Sequence, residues 1–487
     1  MAFGLFLPMT TFYIEQFGCR ATQADGAAIE RQLLERGCRV AASPAGAEIV
    51  VVNTCTVTAA ADAQARDAIR KIHMQNPYAR VVVTGCYAQR APEDLAVLPG
   101  VSWVVGNSHK PQIPELICGI SADASAFSGT NFVPAASLHA VENLRADTRS
   151  ENKKRAKSSI AQVLIGDAAR QTHVLVAPVF GGEGNHTRPT LKIQDGCNSR
   201  CAFCVIPFVR GKSRSLPPDV VLAELNRLSA AGFREFVLSG INLGTWGRDL
   251  TPRLEFFELL EKILSETSVE RLRISSIEPM DVTRDLIDLF ASNERIAQHF
   301  HIPLQSGSDR NLAAMHRWYR TEHYARRVEL IRERLPDAAI GADVIAGFPG
   351  ESEDDHANSL AFIECLPFTY LHVFSYSLRP GTRAASLPDQ VPATVIKRRA
   401  RELRALGEAK AAAFRKSEMG RSLRVLTLHG DANDIDFTPA LTSNYLRVLV
   451  PGSWPSNRWL DVVLSENEEG NCCLAEIPAD TCEIQAR

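Results

Sequence analysis

Residues 195–204 read Asp-Gly-Cys-Asn-Ser-Arg-Cys-Ala-Phe-Cys, and the rest of the chain is arranged around this loop. Its cysteines, Cys197, Cys201 and Cys204, have the spacing C-x3-C-x2-C and follow a short strand predicted at 190–193. Such a loop can wrap three thiolates around one 4Fe–4S cube, which leaves the fourth iron without a protein ligand. An iron in that state is a place for a substrate or cofactor to bind.

Two other interpretations of this loop are possible. A zinc site needs a fourth tight ligand, and no histidine or cysteine follows at finger spacing. Three unrelated buried thiols would be unusual in a polar loop that contains glycine and asparagine. The spacing therefore favours a cluster with one open iron.

Length and composition set the broad class of protein. A chain of 487 residues is expected to hold more than one domain, and 45% hydrophobic with 23% charged residues is typical of a globular protein. The net charge of −2 gives no polyelectrolyte signal, so we expect neither DNA nor a membrane as a partner. Residues 1–8 are apolar but too short for a signal peptide, and either Met1 or Met9 could be the start. Twelve cysteines without an export signal indicate metal ligation in a reducing cytoplasm.

Residues 9–120 are predicted to form an α/β domain in which three strands each end in a cysteine. Because a β-α-β-α-β series makes a parallel sheet, Cys19, Cys55 and Cys86 would lie at neighbouring carboxyl ends, where such sheets bind ligands. Helix N-termini follow each cysteine and would favour an anionic cluster. The strands are predicted at 11–17, 48–52 and 80–83, and the helices at 24–36 and 59–74.

These three cysteines, hereafter the N-terminal trio, could instead be buried packing residues, since free cysteine is often buried. Their recurrence at the same position of successive repeats favours a second cluster site. Cys38 and Cys118 lack this placement, and we interpret them as packing residues.

Residues 121–185 are predicted to be a connector, since they are rich in Ala, Ser, Asn and Gly and have poor periodicity. A basic patch in this segment, Lys153, Lys154, Arg155 and Lys157, could touch RNA, but such a charge run is usually a solvated face.

Residues 186–416 are predicted to form an incomplete (β/α) barrel of six strands with intervening helices, with function at the strand carboxyl ends. The segment closes with a helix over 392–416 that carries eight Lys or Arg against two Glu, and this helix is either solvated or in contact with phosphates. The six strands are predicted at 190–193, 235–238, 271–275, 299–303, 338–345 and 369–374.

The loop at 195–204 resembles the signature of the radical S-adenosylmethionine (SAM) enzymes. In that superfamily, SAM chelates the open iron, and electron transfer splits it into methionine and a 5′-deoxyadenosyl radical. The polar strand ends of the barrel resemble the SAM-binding elements of the same superfamily. Of the side chains at those ends, we interpret His299 and His301 as pocket or core groups. The resemblance implies SAM contacts from Phe203, Ser239, Gly240, Ser275, Ser276, Glu278, Gln305 and Ile345.

The segments around the N-terminal trio look like the N-terminal domain of the methylthiotransferases. In that family, the trio carries a second 4Fe–4S cluster whose open iron holds the sulfur delivered to the product. Residues 417–487 resemble the TRAM domain, a small β-barrel that binds RNA, with strands predicted at 423–428, 445–450, 459–463 and 473–477. This segment departs from the TRAM pattern in its charge, since it has 5 Lys or Arg against 11 Asp or Glu. Because an acidic surface repels RNA, we expect the basic helix and the barrel rim to bind it instead.

The resemblance implies methylthiolation, in which one SAM donates a methyl group and a second yields the radical. Subfamilies act on threonylcarbamoyladenosine or isopentenyladenosine in tRNA, or on a ribosomal-protein aspartate. The stretches 53–58, 369–374 and 444–448 look most like the threonylcarbamoyladenosine group. We therefore expect C2 of that base at position 37, in the anticodon loop, as the target, with isopentenyladenosine as the alternative.

A reducing protein would supply the electrons, and no side chain is identified as a general base. A non-catalytic iron–sulfur protein that binds RNA as a redox sensor would explain two clusters and a TRAM-like end. It would not explain the SAM-binding elements at the strand ends.

Overall fold

The computed structural model describes residues 10–119, 133–134, 161–171, 174–175, 178–179, 187–430, 436–466 and 473–476. The choice between Met1 and Met9 and the basic patch at 153–157 lie outside these residues. So do Cys472 and Cys482, whose positions in the sequence show no ligand pattern. The chain divides into two compact units. The first contains Met1–Ala177, Gly196–Ser199 and Cys204–Lys212, and the second contains Pro178–Asp195, Arg200–Phe203 and Ser213–Arg487.

The first unit is built on a seven-stranded sheet in the order β2-β1-β3-β4-β5-β7-β6, parallel except for β6. This confirms the predicted parallel α/β domain. Its elements are β1 (Thr11–Gln16), α1 (Arg20–Glu35), β2 (Arg39–Val40), β3 (Ile49–Thr54), α2 (Ala59–Gln75), β4 (Arg80–Gly85), α3 (Cys86–Arg90), α4 (Pro92–Ala96), β5 (Val101–Gly106), α5 (Ile113–Gly119), β6 (Val133–Pro134) and β7 (Gln162–Leu164).

Both faces of this sheet are covered, which is why its central strands are continuous apolar runs. Every residue of β3 is buried, and its alternate side chains enter two separate apolar cores. The prediction missed β5, and it missed β7 because that strand lies in the segment interpreted as a connector. The first unit therefore extends past the predicted boundary at residue 120.

The six strands predicted for the barrel lie in the second unit, where they are neighbours in chain order and run parallel. Strands β9, β12 and β13 pair in sequence, a bridge from Ser276 to His301 links β13 to β14, and β14, β15 and β16 pair next. This confirms the incomplete barrel of six parallel strands. Its elements are β8 (Pro178–Val179), β9 (Thr190–Lys192), β10 (Gln194–Asp195), α6 (Ile206–Val209, which belongs to the first unit), β11 (Arg214–Ser215), α7 (Pro218–Ala230), β12 (Glu235–Ser239), α8 (Phe256–Glu266), β13 (Arg271–Ile274), α9 (Arg284–Ser292), β14 (His299–His301), α10 (Asp309–Ala314), α11 (Thr321–Arg334), β15 (Ala339–Ala346), α12 (Glu353–Cys365), β16 (Tyr370–Ser375) and α13 (Ala393–Ser417).

The second unit ends in a closed barrel of five strands in the order β17-β18-β19-β21-β20. The prediction found four of these strands and missed β18, whose sequence contains Pro439. The strands are β17 (Ser422–Thr427), β18 (Phe437–Thr442), β19 (Arg447–Pro451), β20 (Trp459–Glu466) and β21 (Cys473–Glu476).

The turn between β18 and β19 packs against the amino-terminal end of the parallel barrel. Arg273, which is 1% exposed, donates hydrogen bonds to the carbonyls of Thr442 and Ser443 at 3.0 Å each. The ring of Tyr445 stacks on His299, with 4.3 Å between centroids. The small barrel is therefore an integral part of the second unit. Among the helices of the described residues, none has the length and apolar character needed to cross a membrane.

Candidate iron–sulfur and cofactor sites

The structure places the N-terminal trio at the carboxyl ends of three adjacent strands. Cys19 caps α1 after β1, Cys55 directly follows β3, and Cys86 begins α3 after β4. The backbone is tight here, because a Cβ on Gly18 would lie 2.8 Å from the sulfur of Cys55. The predicted convergence of these strand ends is thus present in the fold.

The spacing of this trio does not suit a single zinc ion. Within the described residues, the only potential ligand trio with atoms all within 4.8 Å of one another is His301, Asp343 and His372. The sulfurs of the N-terminal trio are therefore wider apart than zinc–sulfur bonds of about 2.3 Å allow. Burial, together with the neighbouring Cys86 and Cys19, raises the pKa of the Cys55 thiol to about 11. Iron would have to displace that proton.

Buried cations lie in the same unit as the trio. The carboxylate of Asp25 accepts from Lys110 Nζ at 2.8 Å and from Arg210 Nη2 at 3.0 Å, and all three side chains are at most 3% exposed. One carboxylate thus faces two cations. Arg210 also acts to lower the pKa of Cys55. A cluster held by three thiolates is anionic, so this set of residues fits it.

The loop at 195–204 is held by its backbone on both sides. The amide of Cys197 donates to the carbonyl of Gly211 at 3.0 Å, and Gly196 has φ +71° with no room for a Cβ, which would lie 2.0 Å from the Lys212 carbonyl. Further along, the amide of Ala202 donates to the Met315 carbonyl at 2.9 Å. The cysteine side chains therefore project from a constrained backbone.

Arg317 is a charged group that contacts this loop within the second unit. Its guanidinium donates to Cys201 Sγ at 3.3 Å and forms a two-pronged ion pair with Glu278. It also lies over the Tyr319 ring, 5.0 Å from the centroid, and is 6% exposed. A fixed cation beside a thiol favours the thiolate that a cluster needs.

The predicted SAM contacts lie at the carboxyl ends of the barrel strands. Phe203 packs in one apolar cluster with Ile345, and Glu278 is connected to Cys201 through Arg317. Ser275 Oγ is buried with no hydrogen-bond partner among the described residues, so it is available to a polar ligand. The remaining predicted contacts follow or end strands at the same edge: Ser239, Gly240, Ser276 and Gln305.

Comparisons with known proteins agree with this division of the chain. The family model described as uncharacterized protein family UPF0004 matches residues 11–106, and the radical SAM superfamily model matches residues 191–363. A threonylcarbamoyladenosine tRNA methylthiotransferase of Aquifex aeolicus is 36% identical over 89% of this chain and 95% of its own length. This chain belongs to the radical SAM methylthiotransferase family.

Other relatives in this family carry two different names. The Bacillus subtilis threonylcarbamoyladenosine tRNA methylthiotransferase is 33% identical over 91% of both chains. A tRNA-2-methylthio-N(6)-dimethylallyladenosine synthase of Syntrophobacter fumaroxidans is 34% identical over 81% of this chain and 79% of its own. Membership implies a transferase that uses one 4Fe–4S cluster and SAM.

Among solved structures, the radical SAM methyltransferase TsrM from Kitasatospora setae, with cobalamin and a [4Fe–4S] cluster bound, has a similar fold. Its TM-score is 0.55 at 18% identity, and the match covers 78% of this chain and 74% of that one. This likeness supports the fold of the methylthiotransferase chain and nothing about its ligands.

The basic side chains of helix α13 make more contacts within the protein than the sequence indicates. Arg399 is buried and pairs with Glu351 at 2.7 Å, and Arg398 pairs with Glu353 and Glu402. The ammonium of Lys410 donates to backbone carbonyls at 2.9 and 2.7 Å. These cations hold α13 against the barrel, so fewer of its eight basic side chains are available to RNA than predicted.

Sequence reasoning missed the charged residues that support the cysteines. Arg317, Lys110, Arg210 and Asp25 carry no local motif, since each meets its partner only through tertiary contacts. A buried charge is visible in a sequence only as a polar residue within an otherwise apolar segment.

Proposed function

We propose that this protein transfers a methylthio group to C2 of N6-threonylcarbamoyladenosine at position 37, in the anticodon loop of tRNA. The observation that carries the proposal is the N-terminal trio at three adjacent strand ends, in the unit that also contains Lys110 and Arg210. A second cluster at the trio would distinguish an enzyme that inserts sulfur from a radical SAM enzyme that has only one cluster. The names of the relatives and the stretches at 53–58, 369–374 and 444–448 support the choice of base.

In this proposal Cys197, Cys201 and Cys204 hold one cluster and the N-terminal trio holds the other. When bound, the clusters and SAM supply the radical that removes hydrogen from the target carbon and the methylthio group that replaces it. The chain contributes placement, charge and exclusion of water. Phe203 and Ile345 provide an apolar wall for the adenine of SAM.

The polar contacts to SAM are proposed at the strand ends. Ser275, Ser276 and Glu278 would offer hydroxyl and carboxylate groups to its ribose and amino group, and Gln305 would add a further polar contact. The backbone of Ser239 and Gly240 would approach its methionine part. A reducing protein would deliver electrons, and the reaction would take place in the cytoplasm.

The second candidate substrate is isopentenyladenosine in tRNA. A relative named for the dimethylallyl nucleoside, 34% identical to this chain, favours it. Mass spectrometry of tRNA nucleosides from cells lacking this protein separates the two. Loss of the methylthio group from threonylcarbamoyladenosine supports the proposal, and loss from the isopentenyl nucleoside overturns the choice of base.

The second cluster has its own test. Anaerobically purified Cys55→Ser should lose about four irons per chain and all methylthio product, while still forming 5′-deoxyadenosine. Cys197→Ser should lose both products. A wild-type protein with only about four irons, or a Cys55→Ser variant with full iron content, would overturn the two-cluster arrangement.

A further inference from the structure

Inside the barrel, side chains from three adjacent strands form a continuous hydrogen-bonded group. Oδ1 of Asp343 lies 2.9 Å from His301 Nε2 and 3.3 Å from His372 Nδ1. On its other side, His301 Nδ1 lies 2.9 Å from the Tyr370 hydroxyl, which lies 2.8 Å from His299 Nε2. Each side chain in the group is therefore oriented by its neighbour.

His372 is more exposed than either of its two ion-pairing neighbours, so a ligand can reach it. Its side chain is 55% exposed, whereas that of Asp343 is 22% and that of His301 is 10% exposed. Burial alone would raise the pKa of Asp343, but hydrogen bonds from His301 and His372 hold it well below its usual range. Asp343 is thus an anion that engages Nδ1 of His372. Nε2, on the opposite side of the ring, has no hydrogen-bond partner among the described residues.

The group lies beside the proposed cofactor pocket. Asp343 and Ile345 are two residues apart on β15, so their side chains share a face and are separated by about 7 Å along the strand. Their partners across the sheet are His372 and Phe374. Because Ile345 packs with Phe203 of the cysteine loop, His372 lies one side-chain step along the sheet from the residue pair proposed to contact the adenine of SAM.

We propose that His372, oriented by Asp343, binds the threonyl hydroxyl or carboxylate of the substrate and thereby selects threonylcarbamoyladenosine over isopentenyladenosine. The imidazole accepts a hydrogen bond from a hydroxyl or, when protonated, donates one to a carboxylate. The isopentenyl group is a hydrocarbon and offers neither. A site that hydrogen-bonds a substrate group discriminates against an analogue that lacks it. This inference rests on the proposed function.

The test measures two variants of His372 on two substrates. Methylthiolation by wild type, His372→Ala and His372→Gln is measured as kcat/KM on tRNA carrying threonylcarbamoyladenosine and on the same tRNA carrying isopentenyladenosine at that position. Wild type should prefer the threonylcarbamoyladenosine tRNA, and both variants should reduce that preference by about tenfold or more, through a lower kcat/KM on that tRNA alone. His323→Ala, at an exposed histidine on α11, should leave the preference unchanged.

Iron content and 5′-deoxyadenosine formation without tRNA should match wild type in all these variants, which separates a recognition defect from a folding defect. If wild type uses threonylcarbamoyladenosine and His372→Ala keeps its full preference, the role of His372 is wrong and the proposed function stands. If wild type acts only on isopentenyladenosine, both are wrong.

Discussion

Arg317 donates a hydrogen bond to the sulfur of Cys201 at 3.3 Å while its guanidinium is paired with Glu278. A hydrogen bond from a cation to a ligating sulfur stabilises the reduced, more negative state of a cluster, and hydrogen bonds and net charge are among the factors that set cluster potentials. Arg317 is 6% exposed, so solvent screens this charge little.

We therefore expect Arg317→Met to shift the reduction potential of the cluster at Cys197, Cys201 and Cys204 to a more negative value. Arg317→Lys keeps the charge but not the planar guanidinium, so its reduction potential should lie between those of wild type and Arg317→Met. An EPR-monitored redox titration measures this. Arg320→Met is the control, since that side chain is 73% exposed. An unchanged potential in Arg317→Met with full iron content would contradict the prediction.

Removal of the carboxylate of Asp25 should destabilise the protein most when the N-terminal trio holds no cluster. Asp25→Asn removes the buried carboxylate that Lys110 and Arg210 share, which costs about 3–5 kcal/mol. A bound anionic cluster would offset part of that cost, so the loss in the free energy of unfolding should be smaller in the loaded protein.

Urea unfolding of both forms checks this. Glu35→Gln, which breaks the exposed pair with Arg31, should cost under about 1 kcal/mol in either form. Equal losses for Asp25→Asn with and without clusters would mean that the two cations do not compensate a cluster.

Glu235 should make the second unit sensitive to acid. Burial alone would raise its pKa, but Arg273, Arg188 and Arg271 lower it from 4.5 to about 2. Because the folded pKa is below the unfolded one, this stabilisation is full above about pH 4.5 and is lost as the pH falls towards 2.

Glu235→Gln should therefore be less stable than wild type by on the order of 3 kcal/mol at pH 7, and the difference should shrink below about pH 4.5. Thermal unfolding across this pH range measures the difference. Glu266→Gln, at an exposed helix position, is the control. A difference that stays constant down to pH 3 would show that the ionised carboxylate is not the source.

Two arginines of α13 that are two residues apart should have opposite roles. Arg399 is 3% exposed and paired with Glu351, so Arg399→Ala should cost about 3 kcal/mol of stability. Arg401 is exposed, so Arg401→Ala should change stability by less than about 0.5 kcal/mol.

If α13 contacts phosphates, Arg401→Ala should also lower the salt dependence of tRNA binding, by about one released counterion. Unchanged tRNA binding would mean that this face of α13 is only solvated.

The strands and cysteines of this protein were predictable because their signals are local. Each member of the N-terminal trio follows the end of a predicted strand, and the parallel β-α-β connection by itself brings such positions to one edge of a sheet. The loop at 195–204 was equally predictable, since its three cysteines lie within eight residues. The missed strand Gln162–Leu164 had too short an apolar run to be recognised.

The sequence by itself determined the order of the domains, the two sets of thiols and the family to which they belong. Only the tertiary structure decided which charges accompany those thiols. Lys110 meets Asp25, Arg317 meets Cys201 and His372 meets Asp343 across many intervening residues, and their partners are chosen by strand order and burial. A buried charge is tolerated only where folding supplies its counter-charge, and that pairing is a property of the assembled core and not of any segment.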